Sequence, residues 1–385
     1  MIKKTNLAFL FFAVTLKPVL VGAVTILMAT RQKKTATLSD VARLAGTAKG
    51  TASRALNGRH WVAPETREAV MRAAQELGFR ADPTAQTLAS GRRSTLVGLF
   101  AHSFDLGTAT LKLQRLQKNL NEKGYDAPIH ACGSSVGDAD LQAQALSNLC
   151  RQRPAAIICN TNSLQNITIQ LLQKYSDSGG VLVLYDTPLR LQGNTVDYVV
   201  FDREDNTYQA TRHVLELGHR DIGLSDGGAR DSERSRGFER ALQEFGLEFD
   251  DKATLLEPLH LPSGRILLAE ERGWLMGESF VRQKVRPTAV CIPDDNVAAG
   301  FISAVQNLGL RVPDDVSVVG QDNMPIAAYA CAVPLTTVSQ PVDAIAQECV
   351  ALIDSRLKGE YTGESRRSIL CGELIVRKST KAISS

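Results

Sequence analysis

From about residue 96 to residue 320 the chain alternates short apolar runs with amphipathic helical stretches. Strands that are apolar on both faces can be buried only inside an α/β arrangement, where helices cover both sides of a parallel sheet. Residues 96–100, 126–130, 155–159 and 181–185 read as strands, with helices near 108–123, 138–151 and 164–178 between them. After a break at Gly193-Asn194 the pattern restarts with strand 198–201, helix 205–217, strand 222–224, helix 231–245, strand 289–292, helix 295–308 and strand 316–320. The fold class expected is therefore α/β, with two doubly wound lobes, a late return of the chain and a ligand cleft between the lobes. Carboxyl ends of strands are where open α/β sheets present polar side chains to ligands, which singles out Asp186 in Y-D-T-P-L, Asp295 in P-D-D-N and Asp322 in G-Q-D-N. The competing reading of each is a cap on the helix that follows.

Ahead of this body the pattern changes. Leu38, Val41, Ala42 and Ala45 fall on one helical face, with Ser39 and Asp40 at its start and Gly46 at its end. A second run, 48–56, keeps Ala52, Ala55 and Leu56 on one side, turns Lys49, Ser53 and Arg54 to the other, and stops at Asn57-Gly58. Pro64 in a first turn, Glu65 and Glu68 near the positive helix end, the stripe Val70, Ala73, Ala74, Leu77, and Gly78 at C′ specify a third helix. Two short helices joined by a tight turn and backed by a third form a helix-turn-helix, whose second helix can enter a major groove. Charge agrees: residues 28–93 carry twelve Lys/Arg against five Asp/Glu, a net of +7, whereas residues 94–385 are net −7. A basic head on an acidic body predicts a polyanion bound by the head alone.

Several stretches are recognisable. T-L-S-D-V-A-R-L-A-G-T-A-K-G-T-A-S-R-A-L-N-G (37–58), V-A-P-E-T-R-E-A-V (62–70) and A-A-Q-E-L-G-F-R-A-D-P (73–83) closely resemble the head of the lactose/galactose-repressor family of bacterial transcription regulators. L-E-L-G-H-R-D-I (215–222), S-R-G-F-E-R-A-L (235–242), G-L-R-V-P-D-D-V-S-V-V-G (309–320) and P-L-T-T-V-S-Q-P (334–341) look like that family's effector domain, which is similar to the periplasmic sugar-binding fold. The resemblance spans about residues 37–378. It implies a three-helix DNA-binding domain at 28–83, a hinge helix and linker at 84–93, and an effector-binding and dimerisation domain at 94–385. By the same resemblance Lys49, Gly50 and Arg54 face base edges, Thr51 and Ser53 approach phosphates, Asn57 closes the contact set, and Leu88 is the hinge-helix wedge inserted in the minor groove. Lys and Arg can donate to guanine O6 and N7, and a leucine wedge unstacks a base step in exchange for contacts along a bent duplex. Arg234 matches the arginine that the family aims at its ligand. Together with Asp186, Asp295 and Asp322 it forms the expected effector set, suited to the paired hydroxyls of a sugar-like ligand.

The chain departs from the family at several points. Thr47-Ala48 stands where Val-Ser is usual, so the usual helix N-cap hydroxyl is missing and Thr47 is the expected substitute. Ala52 replaces a valine, H-S-F-D-L-G-T (102–108) replaces an N-P-F-type stretch, and Thr187 and Gln321 replace an arginine and a phenylalanine on the expected pocket walls. No named sugar is carried over. The partners implied are double-stranded operator DNA, a small-molecule effector and a second copy of the chain, with no membrane, in the cytoplasm at the nucleoid; two heads about 34 Å apart predict a pseudo-palindromic operator.

No cofactor and no metal are expected. The seven cysteines are scattered without Cys-x-x-Cys spacing and read as buried thiols. No phosphate loop, dinucleotide fingerprint or coherent acid–base set occurs, so no enzyme activity is expected. Residues 1–27 hold two apolar runs and three lysines. They read as an extension preceding a start at Met28; the alternative, a secreted or membrane-tethered solute-binding protein, is disfavoured by the basic head.

Overall fold

The protein is described from a computed structural model, in which residues 36–56, 61–79, 94–101, 107–132, 139–160, 164–186, 189–225, 232–249 and 267–383 are placed. The chain divides between Gln86 and Thr87 into two compact units. Residues 1–27, the hinge segment 84–93, Asn57 and Leu88 lie outside the described residues.

The first unit contains α1 (Leu38–Leu44), α2 (Lys49–Leu56) and α3 (Pro64–Glu76). Thr37, not Ser39, caps α1: the Asp40 amide donates to Thr37 Oγ1 at 3.3 Å while the Thr37 amide donates to Asp40 Oδ2 at 3.0 Å, a closed capping box. The hydrogen bond from Thr37 holds the Asp40 carboxyl below the usual range. Gly46, at φ +63°, ends α1, and the Thr47 amide returns to the Ala42 carbonyl at 2.9 Å, which sets the tight turn into α2. Val41, Ala42, Ala52, Ala55, Val70, Ala73 and Ala74 form the core, flanked by Leu38, Leu56, Val62 and Phe79. Leu77, expected on the buried stripe, is exposed at the C-cap of α3, and Phe79 beyond Gly78 packs on the core instead.

The second unit has two sheets. The first runs β10-β5-β4-β3-β1-β2, built from β1 (Val97–Ala101), β2 (Ile129–Ala131), β3 (Ala156–Asn160), β4 (Val181–Tyr185), β5 (Val196–Phe201) and β10 (Arg367–Leu370), all parallel. The second runs β11-β9-β8-β7-β6, with β6 (Ile222–Leu224), β7 (Ala289–Cys291), β8 (Ser317–Asp322), β9 (Thr336–Ser339) and an antiparallel β11 (Leu374–Ile375). Helices α4 (Thr108–Glu122), α5 (Ala139–Arg151) and α6 (Asn166–Asp177) join the strands of the first lobe; α7 (Arg203–Glu216), α8 (Glu233–Glu244), α9 (Ala269–Arg282) and α10 (Asp295–Asn307) belong to the second. The long α11 (Val342–Lys358) returns to the first lobe and buries Ile345, Ala346, Cys349, Val350, Leu352 and Ile353 against its strands.

The break at Gly193-Asn194 is not the lobe boundary. β5 stays in the first sheet, paired in parallel with β4 from Leu182↔Val196 onward, because β10 arrives later to cover its other edge. Asp197, fully buried on β5, locks that edge: Arg356 and Arg366 each donate to it at 2.7 Å, and these bonds hold its carboxyl below the usual range despite burial.

The chain therefore passes between the lobes three times, at 201–203, 339–342 and 370–374. Asn206, with no exposed surface, stitches the other two crossings together by donating to the Ser339 carbonyl and accepting from the Gly372 amide, both at 3.0 Å. Gly372 is there because a Cβ would lie 1.8 Å from the Ser339 carbonyl oxygen. Four cysteines are buried as expected, but Cys150 and Cys331 are half-buried and Cys371, in the third crossing, is exposed.

Candidate functional site

Two places gather the residues singled out above. On the first unit, the apolar side of α2 is occupied by Ala52 and Ala55, so its opposite side is presented outward. Lys49, Gly50 and Arg54 are exposed, and Thr51 and Ser53 are half-buried beside them. Ala48 accepts from the Thr51 and Ala52 amides, at 2.9 and 3.0 Å, and so takes the N-cap position without any side-chain acceptor to offer. Arg54 Nε donates to the Gly50 carbonyl at 3.1 Å, which folds the guanidinium back toward the helix N-terminus. A Cβ at Gly50 would meet Arg54 Nη2 at 3.8 Å, an ordinary contact, so this fold-back does not itself require glycine there. Lysine, arginine and the amino end of one helix thus share a single outward surface, a chemistry that suits phosphate and guanine edges.

In the second unit, Asp186 follows β4 with φ +54° and is 2% exposed. Its Oδ2 forms an ion pair with Lys112 Nζ, and its Oδ1 is buried without a hydrogen-bond partner among the described residues. The Lys112 side chain, also 2% exposed, reaches in from α4 and donates to Gln340 Oε1 at 2.5 Å. Gln340 Nε2 in turn donates to Asp322 Oδ1. Asp322 closes β8 at φ +112°, and its carboxyl is pushed well up, first by desolvation and then by the nearby Asp294 and Asp295. Lys112, Gln340 and Asp186 are joined by Arg203, whose Nη2 lies 3.4 Å from the Asp186 carbonyl and whose Nη1 lies 3.4 Å from Glu233 Oε2. Arg203 and Glu233 therefore bring the start of α8, and with it Arg234, toward Asp186.

The two adjacent aspartates before α10 separate. Asp294 is the N-cap: its Oδ1 accepts from the Asn296 and Val297 amides at 2.8 and 3.3 Å, and its side chain is 34% exposed, with Arg272 at 3.9 Å. Burial raises its carboxyl, while Arg272 and Arg234 oppose that rise. Asp295 points inward with no exposed surface; Oδ1 accepts from Thr337 Oγ1 at 2.7 Å and Oδ2 from the Met324 amide at 2.8 Å. Burial pushes it up to about 7. Both Asp295 oxygens are thus spent inside the second lobe, and the carboxylate beside the arginines is Asp294. Gln321, expected on a pocket wall, is buried and donates to Thr207 Oγ1 of α7 at 2.9 Å.

Four participants escaped sequence reasoning: Lys112, Arg203, Asp294 and Gln340. Lys112 had a signal, since it stands four residues before Leu116 and eight before Leu120, on the helix stripe that is otherwise apolar. A lysine placed there needs a buried anion. Asn57 and Leu88, and the strand-end stretches 102–106 and 187–188, lie outside the described residues.

Residues 37–82 match the family described as bacterial regulatory proteins, lacI family, and residues 211–380 match a periplasmic binding protein-like domain. The HTH-type transcriptional repressor PurR of Vibrio vulnificus (strain CMCP6) is 28% identical over 351 residues, covering 90% of this chain and 99% of its own. PurR of Aliivibrio fischeri (strain MJ11) is 29% identical over 349 residues, covering 89% and 98%. Among solved structures, the complex of transcriptional regulator CelR with cellobiose is 28% identical with a TM-score of 0.63, covering 89% of this chain and 99% of that one. The lac repressor dimer bound to operator and the anti-inducer ONPF is 25% identical with a TM-score of 0.68, covering 91% and 100%.

Proposed function

From the premise that the chain belongs to the lacI family of bacterial regulatory proteins, we propose that it is a dimeric repressor that binds operator DNA and is controlled by a small molecule held between its two lobes. The observation that carries the reading is the outward surface of α2, where Lys49 and Arg54 are exposed on a helix whose other side is the core of the head. Lys49 and Arg54 read bases, Gly50 lets the helix end approach closely, Thr51 and Ser53 hold phosphates, and Asn57 and Leu88 extend the contact to the end of α2 and to the minor groove. The domains are taken as 28–83, 84–93 and 94–385.

In the cleft, Asp186 and Arg234 meet the effector, and Asp295 and Asp322 form the wall behind them. The CelR relative holds cellobiose, and a sugar-like effector fits a carboxylate facing a group of arginines. Effector binding alters the angle between the lobes, and this changes whether the two hinge segments order on DNA, a coupling of about 1–3 kcal/mol in such systems.

The test is selection of genomic fragments on the purified full-length protein, followed by fluorescence anisotropy at fixed salt. Lys49→Ala and Arg54→Ala each weaken the selected operator by roughly 1–3 kcal/mol and relax base preference at one position. Unaltered preference in both variants sinks the interface. Arg234→Ala keeps operator affinity and loses effector response; a normal response places the effector elsewhere.

A further inference from the structure

Four side chains run end to end across the cleft, from Asp186 through Lys112 and Gln340 to Asp322. Asp186 and Lys112 belong to the first lobe, Asp322 to the second, and Gln340 to the second crossing between β9 and α11. The Gln340 backbone amide also donates to the Asp322 carbonyl at 3.3 Å. The two ends of this chain share a further property. Asp186 and Asp322 both hold positive φ, +54° and +112°, at the ends of β4 and β8, a conformation uncommon for any residue but glycine, asparagine and aspartate.

We propose that Lys112 and Gln340 form a strap through which a hydrogen-bond donor arriving at Asp186 is felt by the 322–324 segment of the second lobe. Lys112 is in this sense a positioning residue, acting through Asp186 and Gln340. Three observations support it. First, Asp186 Oδ1 is buried and has no hydrogen-bond partner among the described residues, and such an acceptor is costly until a donor reaches it. Second, the Lys112 ammonium is shared between the other Asp186 oxygen and Gln340, so charge drawn from Asp186 by a new donor shifts the ammonium toward Gln340. Third, the amide of Gln340 is planar: with its oxygen on Lys112 and its nitrogen on Asp322, it satisfies both only within a narrow range of lobe angles. The group that acts on the strap is a neutral donor, a hydroxyl or an N–H, because an anion would face the bare Asp186 oxygen.

The proposal rests on the cleft reading only in taking Asp186 as a contact, and its test needs no effector. Amide hydrogen exchange is measured on the full-length chain and on Lys112→Met, Gln340→Leu and the double variant. Lys112→Met is expected to speed exchange at the Met324 and Gln340 amides at least tenfold. In the Gln340→Leu background it adds nothing at Met324, while the Asp186 amide, bonded to the Val199 carbonyl, still accelerates. Effects at Met324 that multiply in the double variant, or a Lys112→Met effect confined to the first lobe, overturn the strap. Should Lys112→Met not fold, Gln340→Asn keeps the amide on a stem one methylene shorter and cannot span both partners. It is then expected to speed exchange at Asp186 and Met324 alike, and acceleration in one lobe alone overturns the proposal. Failure of the strap thus shows in exchange, whereas failure of the cleft reading shows as a normal effector response in Arg234→Ala.

Discussion

Asp295 should make the second lobe less stable as pH rises from about 4 to 7. Its carboxyl sits near the ordinary aspartate value of about 3.9 in the unfolded chain and at about 7 in the folded one, because it has no exposed surface and lies close to Asp294. Across that window the native state holds a proton that the unfolded state has lost, so stability falls with rising pH and levels off above pH 7. Three pKa steps at about 1.4 kcal/mol each give roughly 4 kcal/mol in all, of which roughly 3 kcal/mol falls between pH 5 and pH 8. Asp295→Asn is the perturbation of choice: its amide oxygen can accept from Met324 and its NH2 can donate to Thr337 Oγ1, so both bonds persist with no charge to bury. Urea unfolding at pH 5 and pH 8 reads the difference, followed by Trp274 of α9 in a chain whose other tryptophan, Trp61, is replaced by Phe. Relative to the parent, Asp295→Asn should gain roughly 3 kcal/mol on going from pH 5 to pH 8. If the two proteins keep parallel pH profiles, Asp295 is ionised in the fold and the reasoning fails.

Asp197→Ala leaves Arg356 and Arg366 without their shared carboxylate beneath α11 and should cost about 3–5 kcal/mol in thermal or urea unfolding. Since the folded Asp197 carboxyl lies below its ordinary value, its stabilisation is complete above about pH 4 and fades as pH falls through the folded value, which an acid titration of the parent against Asp197→Ala can follow. Thr37→Ala opens the capping box of α1 and should lower the stability of the head by about 1 kcal/mol, seen as faster amide hydrogen exchange over α1 in the full-length chain. Gly372→Ala forces the Ser339 carbonyl away and parts two of the three crossings, so limited proteolysis should cut first near residues 370–374; an unchanged digestion pattern would show that the crossing tolerates the Cβ.

What the sequence reveals of the fold follows periodicity. β4 and β6 fall where the apolar runs put them, and α4, α5, α6, α7, α8 and α10 lie within two residues of their predicted ends, because each carries a wide apolar stripe bounded by glycine or a cap. Elements that read poorly break that rule for reasons of packing. Gly273 and Gly277 interrupt α9 as a sequence pattern, yet they allow α9 and α10 to touch: a Cβ on Gly273 would lie 1.9 Å from the Val297 carbonyl oxygen. The break at Gly193-Asn194 does not divide the lobes, because sheet membership of β5 depends on β10, some 170 residues later, and no local pattern carries it. The same limit governs the cleft. Strand-end position singles out Asp186 and Asp322, but cannot decide between Asp294 and Asp295, since one turn of chain sends the first to cap α10 and the second inward to Thr337 and Met324.

The two lobes are chemically unlike, and this bears on what can close them. The first lobe brings an acceptor, the Oδ1 of Asp186, which has no hydrogen-bond partner among the described residues and whose partner oxygen is already neutralised by Lys112. The second brings donors, since Arg234 and Arg272 both bear on Asp294, whose Oδ1 already serves two amides of α10. A ligand that only accepts, such as an inorganic anion, would be held by the second lobe and leave Asp186 unsatisfied. One that only donates would satisfy the first and gain nothing from the arginines of the second. A molecule that donates at one end and accepts at the other is the kind whose binding energy depends on both lobes at once, and only such dependence can shift the angle between them. The strap adds a counterweight, because Lys112 and Gln340 hold one angle until that donor arrives.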